Sequence, residues 1–312
     1  MRNYRFFSRR ILATSLLLLD VSRNGLCKQL PLDKLMKDVR DKPKGNLANP
    51  GLQRVNMTRV KVHNQGKNLK VVLYKPARSH TRAPAIVFLP GLMATDDQYE
   101  SYARALASRG FVVAVRRWYS LFRSDFELAH DAKVIADWLV QVQGVDSKKI
   151  GIAGHSMGGK DAVLAAAKYG VFACVVAIDP DDNGKVSVVH GLLTCLQAPL
   201  MLIGAEVAWR ASNVCAPLKT NYLRFFERAP AGTIQLTLRN ADHVQMLDKP
   251  DRFGYGICRC GTADSRKVRI MTTRATVEFF QQHLQGGPAM PKPTPSQATN
   301  RVAQALSSHR KI

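Results

Sequence analysis

Apolar and polar positions along the chain follow two periods. Short, wholly apolar runs predict buried strands at Ala85 to Leu89, Gly110 to Val115, Ile150 to Ala153, Phe172 to Ile178, Pro199 to Ile203 and Ile234 to Leu238. Tyr99 to Ser108 and Leu128 to Val142 instead place apolar residues at helical spacing, and residues 266–284 predict a closing helix. Ahead of them, Val55 to His63 and Leu69 to Tyr74 read as an antiparallel pair of strands. Strands that alternate with helices after an antiparallel start predict an α/β fold. Such a fold has a mostly parallel central sheet, helices on both faces, and ligands at the carboxyl ends of the strands.

The periodic pattern fails at both ends. Residues 1–27 carry Arg2, Arg5, Arg9 and Arg10, then the apolar run Ile11 to Leu19, with Asp20 as the first acid. A basic start and a short apolar run resemble a targeting segment, too brief to span a bilayer. Secretory and organellar presequences share these features, so the destination stays open. Residues 28–50, with Pro31, Pro43, Gly45 and Pro50, read as a linker, residues 51–286 as one globular domain, and residues 287–312 as a disordered basic tail.

At 46% hydrophobic residues the composition suits a packed core, whereas the net charge of +23 and pI near 10.1 are unusual. The excess is spread along the chain, and no basic run is interleaved with aromatics, which argues against a nucleic-acid groove. Diffuse positive charge fits peripheral contact with anionic membrane lipids. Six cysteines are present, at 27, 174, 195, 215, 258 and 260. The Cys258-Arg259-Cys260 triplet lacks zinc-site spacing and has no histidine pair beside it, so no metal site is expected. A bridge from Cys215 to Cys258 or Cys260 stands beside a reading in which these thiols are free.

Against this background, Gly154-His155-Ser156-Met157-Gly158 carries the chemistry. An apolar strand stops, a serine flanked by glycines turns the corner, and a helix begins; this is the setting of a nucleophile elbow. A serine hydroxyl needs a base, and the base an orienting acid, which in this arrangement follow in the order serine, acid, histidine. His243, in the loop after the last strand, is the candidate base. Asp179, at the end of the Phe172 to Ile178 strand, is preferred as the acid over Glu206, one strand later. Asp181, Asp182 and Asp242 read as turn carboxylates, His155 as structural, and His190 has no evident task. Backbone N–H groups of Leu92 and Met157 are expected to form the oxyanion hole. Gly91, Met93 and Trp209 are assigned to the substrate cleft; for Met157 and the Tyr222 to Phe226 run, a place in that apolar lining stands beside the commoner reading that such residues are core.

These motifs resemble the chlorophyllases within the α/β-hydrolases. GHSMGGK at Gly154 to Lys160 is similar to that family's GHSRGGK, and Ile178-Asp179-Pro180 to its acid-bearing motif. Cys215-Ala216-Pro217, Asn221 and Phe225-Phe226 resemble its CAP, N and FF stretch, and Ala241 to Asp248 its histidine loop. The departures are Met157 for an arginine, Pro90-Gly91 for a His-Gly pair, and Gln245 where an aspartate is usual. The resemblance implies the α/β-hydrolase fold, the triad Ser156, Asp179 and His243, and hydrolysis of the phytyl ester of chlorophyll. It also implies that neither metal nor organic cofactor takes part, and that the protein resides in the chloroplast. The alternatives are a broader carboxylesterase, lipase or polyester hydrolase, or a catalytically idle protein that binds pigment or lipid.

Overall fold

A computed structural model describes residues 52–288 apart from 65, 79–81, 118–122, 211–214 and 253–254. The expected targeting segment, the linker and nearly all of the basic tail lie outside the described residues. Within them, β1 (Val55–Asn64), β2 (Lys67–Pro76), β3 (Ala85–Leu89), β4 (Val112–Arg116), β5 (Ile150–His155), β6 (Cys174–Ile178), β7 (Leu200–Ala205) and β8 (Ile234–Leu238) form one sheet in the order β1-β2-β4-β3-β5-β6-β7-β8. The β1 and β2 strands pair antiparallel, β2 joins β4 antiparallel, and β4 onward is parallel.

Every residue of β3, β4, β5, β6 and β7 is buried, which is why these strands read as unbroken apolar runs. One face packs against α1 (Glu100–Ala107) and α5 (Ser265–Gln285), including Leu106 and Phe280. The other packs against α2 (Asp125–Gln143), α3 (Met157–Tyr169) and α4 (Tyr222–Arg228), through residues such as Ile135, Leu164 and Phe225. Burying each such side chain contributes about 1.5–3 kcal/mol. This is the α/β-hydrolase architecture.

The α2 helix starts three residues before the apolar periodicity does. A capping box sets that start: the Ser124 hydroxyl accepts from Glu127 N–H, and the Glu127 carboxylate accepts from Ser124 N–H at 2.9 Å. Behind the elbow, the wholly buried Lys160 ties α3 to the first turn of α2, with Nζ 2.8 Å from Asp125 Oδ1 and 2.7 Å from the Asn183 carbonyl.

Next to that pair, Asp161 is buried with neither carboxyl oxygen hydrogen-bonded among the described residues. Burial, reinforced by the Asp125 charge, pushes its carboxyl well above the usual carboxylate range. The sign follows from linkage. Below the ordinary carboxylate pKa, both folded and unfolded chains hold this proton; as pH rises through it, only the unfolded chain ionises, so stability is lost. Asp161→Asn removes that loss. Denaturant melts should therefore show the variant more stable than wild type at neutral pH and equal to it near about pH 3.

Candidate active site

Loops at the carboxyl ends of β3, β5, β6 and β8 converge on one region. At the end of β5 the chain turns through Ser156, whose φ of +56° and ψ of −126° make a sharp bend before α3. The flanking glycines are required by close approach: a Cβ on Gly154 would strike the Gly158 carbonyl, and one on Gly158 the Leu89 and Pro90 carbonyls. Ser156 N–H donates to the Ile178 carbonyl at 2.9 Å, and its own carbonyl accepts from Gly159 and Lys160 at 2.9 and 3.1 Å. The backbone of the elbow is thus fixed on both sides. Its hydroxyl makes no hydrogen bond to another described residue.

Asp179 follows β6 and is completely buried, with φ of +39°. Its Oδ1 accepts from Ala205 N–H at 2.9 Å, and its Oδ2 lies 2.7 Å from His243 Nδ1. A buried carboxylate facing Nδ1 sets the proton on that nitrogen and leaves Nε2 as the basic atom. His243 itself opens a 3-10 turn, His243–Met246, and is buried. Beside it, burial pushes the Asp181 carboxyl up, while Thr220 Oγ1 donates to Asp181. Asp182 accepts from Val188 and Val189 N–H groups, as a turn carboxylate does.

The structure joins His243 to Asp179 and leaves Glu206 apart: Glu206 is exposed, with Oε2 accepting from Asn240 N–H at 2.8 Å. Met93 has a φ of +59°, so strained backbone gathers at Met93, Ser156 and Asp179, at about 1–3 kcal/mol each. Neither Leu92 N–H nor Met157 N–H is engaged by another described residue, whereas Gly91 N–H donates to the Tyr99 hydroxyl at 2.9 Å. A Cβ on Gly91 would meet both His155 Nδ1 and Ser156 Cβ at 3.1 Å, so this loop lies directly against the serine. Leu92 and Met93 are 48% and 64% exposed, which leaves apolar side chains in the open beside the elbow.

Trp209 is half-buried in the turn Ala208–Arg210, with its indole N–H on the Glu206 carbonyl. The Tyr222 to Phe226 run does not line a cleft as a whole. It forms α4, in which Phe225 enters the core and the Tyr222 ring lies against Gly204. Asn221 caps that helix through Leu223 N–H.

The histidine turn is held by Asp242, which acts as the turn carboxylate its sequence reads as. Asp242 Oδ1 accepts from Val244 and Gln245 N–H, and its Oδ2 from Cys260 and Gly261 N–H, at 2.8–3.1 Å. Gln245 accepts from Asp242 N–H and also donates to the Ala263 carbonyl. An aspartate there could only accept, so the glutamine departure serves a second contact. Cys215 pairs with Cys258, which resolves the open alternatives, and Cys260 stands outside that bridge, its thiol donating to the Val207 carbonyl. Closing that 43-residue separation stabilises the fold by about 4 kcal/mol in the chain-entropy account.

Two cavities lie elsewhere, of about 490 Å³ beside Ile150 and Phe172 and about 590 Å³ beside Asp248 and Arg252, and neither is lined by Ser156, Asp179 or His243.

Residues 45–290 match the family model described as Chlorophyllase. Chlorophyllase-2 of Arabidopsis thaliana is 25% identical over 237 residues, covering 65% of this chain and 74% of that protein. Chlorophyllase-1, chloroplastic, of Citrus unshiu is 23% identical over 241 residues, covering 69% and 73%. Among solved structures, a ferulic acid esterase from Streptomyces cinnamoneus superposes with a TM-score of 0.61 at 20% identity, covering 82% of this chain and 96% of that one.

Proposed function

Because the chain belongs to the chlorophyllase family and is a carboxylic-ester hydrolase, we propose that it cleaves the phytyl ester of chlorophyll through Ser156, His243 and Asp179. The observation that carries this reading is the 2.7 Å contact between Asp179 Oδ2 and His243 Nδ1, made between loops that converge with the one bearing the strained serine.

In the proposed reaction, Ser156 Oγ attacks the ester carbonyl carbon while His243 Nε2 takes its proton. Asp179 holds the ring and balances the imidazolium. Charge on the carbonyl oxygen is met by the unengaged N–H groups of Leu92 and Met157, each worth about 2.7–4 kcal/mol in such a role. Collapse expels phytol, which takes the proton from His243, and leaves the pigment's propionyl group on Ser156. Water, deprotonated by His243, then releases chlorophyllide and restores the serine. Gly91 brings the β3 loop close to the serine, while Met93 and Trp209 contribute apolar surface for the substrate.

A plastid location is part of this proposal, supported by the chloroplastic label of the Citrus unshiu relative and by the basic N-terminal segment. Peripheral contact with anionic lipid is supported by the +23 charge and by exposed Leu92 and Met93 beside the site. Among the described residues no helix is long and apolar enough to cross a membrane.

Purified protein incubated with detergent-solubilised chlorophyll a, and in parallel with a short-chain nitrophenyl ester, should release chlorophyllide and phytol by chromatography. Cleavage of the nitrophenyl ester alone would retire the chlorophyll assignment and keep the ester hydrolase.

A further inference from the structure

Two buried side chains outside the proposed triad lie between its parts. Tyr99, just ahead of α1, is 1% exposed, and His155, the last residue of β5, is 3% exposed. His155 Nε2 lies 3.0 Å from the His243 carbonyl oxygen, and His155 Nδ1 lies 3.0 Å from the Tyr99 hydroxyl. The same hydroxyl accepts from Gly91 N–H at 2.9 Å.

The directions of these bonds follow from chemistry. A carbonyl oxygen only accepts, so His155 Nε2 carries a proton. Burial, together with His243 alongside, holds the His155 ring well below the usual histidine range, and the ring is neutral. Its Nδ1 is then an acceptor, and Tyr99 O–H donates to it. That leaves a lone pair on the Tyr99 oxygen for Gly91 N–H. One unbroken chain of three hydrogen bonds runs from the β3 loop to the backbone of the histidine turn, passing beside Ser156.

We propose that Tyr99 and His155 are positioning residues, a hydrogen-bonded strut from Gly91 to the His243 carbonyl that fixes the oxyanion loop and the base relative to Ser156. This rests on the triad reading above. A rotation of the Gly91 loop would move the Leu92 N–H, and a shift of the histidine turn would move Nε2; the strut ties the two displacements together. The two histidine rings lie 4.6 Å apart. A neutral His155 therefore suits a step in which His243 becomes cationic, because a second cation there would oppose it. The groups facing His243 are Asp179 and Asp181 after β6 and His155 on β5; those facing His155 are Tyr99 and His243.

Two measurements test the strut. In wild-type protein labelled with ¹⁵N-histidine, the His155 resonances should report a neutral ring with the proton on Nε2, unchanged between about pH 5 and 8. Titration within that range, or the opposite tautomer, would overturn the proposal, and this measurement does not depend on any variant folding. Tyr99→Phe should slow the acylation burst with a nitrophenyl ester about 10- to 100-fold while KM moves less than about threefold. Because His155→Gln breaks the same strut at its Tyr99 contact, the double variant should be no slower than the slower single one. Wild-type acylation in Tyr99→Phe, or single losses that multiply, would sink the idea. Fluorophosphonate labelling of wild-type Ser156 separates the two readings: an unreactive serine would end the triad and leave the tautomer result standing.

Discussion

Replacing Ser156 with alanine should abolish ester turnover, by about a million-fold in kcat, while the protein melts as wild type does. The first half follows from chemistry, since without the Ser156 hydroxyl the proposed acyl-enzyme has no oxygen on which to form. The second follows from the structure. Ser156 caps α3 without a side-chain hydrogen bond, so removing its hydroxyl breaks no hydrogen bond to a described residue. The positive φ strains alanine as it does serine. Turnover of chlorophyll or of a nitrophenyl ester that survives the substitution would end the nucleophile assignment.

Asp179→Asn should lower kcat by about ten thousand-fold, against less than about threefold for Glu206→Gln. In wild type, Ala205 N–H occupies Oδ1 and His243 Nδ1 faces Oδ2. An asparagine keeps its carbonyl oxygen toward Ala205 and turns its NH₂ toward Nδ1. Two donors then meet, and His243 relieves the clash by moving its proton to Nε2, the atom that takes the serine proton in the proposed mechanism. Glu206 loses nothing comparable, because a glutamine oxygen still accepts from Asn240 N–H. Steady-state kinetics of both variants decide the matter, and the reverse ranking would move the acid to the β7 loop.

Those residues show which parts of the molecule its sequence discloses. The parallel strands were legible because each is buried on both faces and so is apolar throughout, as in Ala85–Leu89. The elbow was legible because two glycines are forced by backbone approach, and Asp179 because it ends an apolar strand beside it. The start of α2 was hidden, since its first turn is set by polar capping and not by apolar spacing. Phe225 stayed open between cleft and core because aromatic composition does not distinguish a pocket wall from a core, and the structure places it in the core. Tyr99 was hidden for the converse reason: it reads as one more buried aromatic at helical spacing, and only its hydroxyl's partners reveal another task. The cysteine partner could not be chosen because only Arg259 separates Cys258 from Cys260, a difference that only the path of the chain resolves.

Asp242 gathers amide hydrogens from two separate stretches of chain, Val244 and Gln245 on one side and Cys260 and Gly261 on the other. Losing that carboxylate's grip frees all of them at once. Their exchange with solvent deuterium should therefore follow a common opening, so that the segment holding His243 exchanges as one closed unit, although by sequence it is a loop.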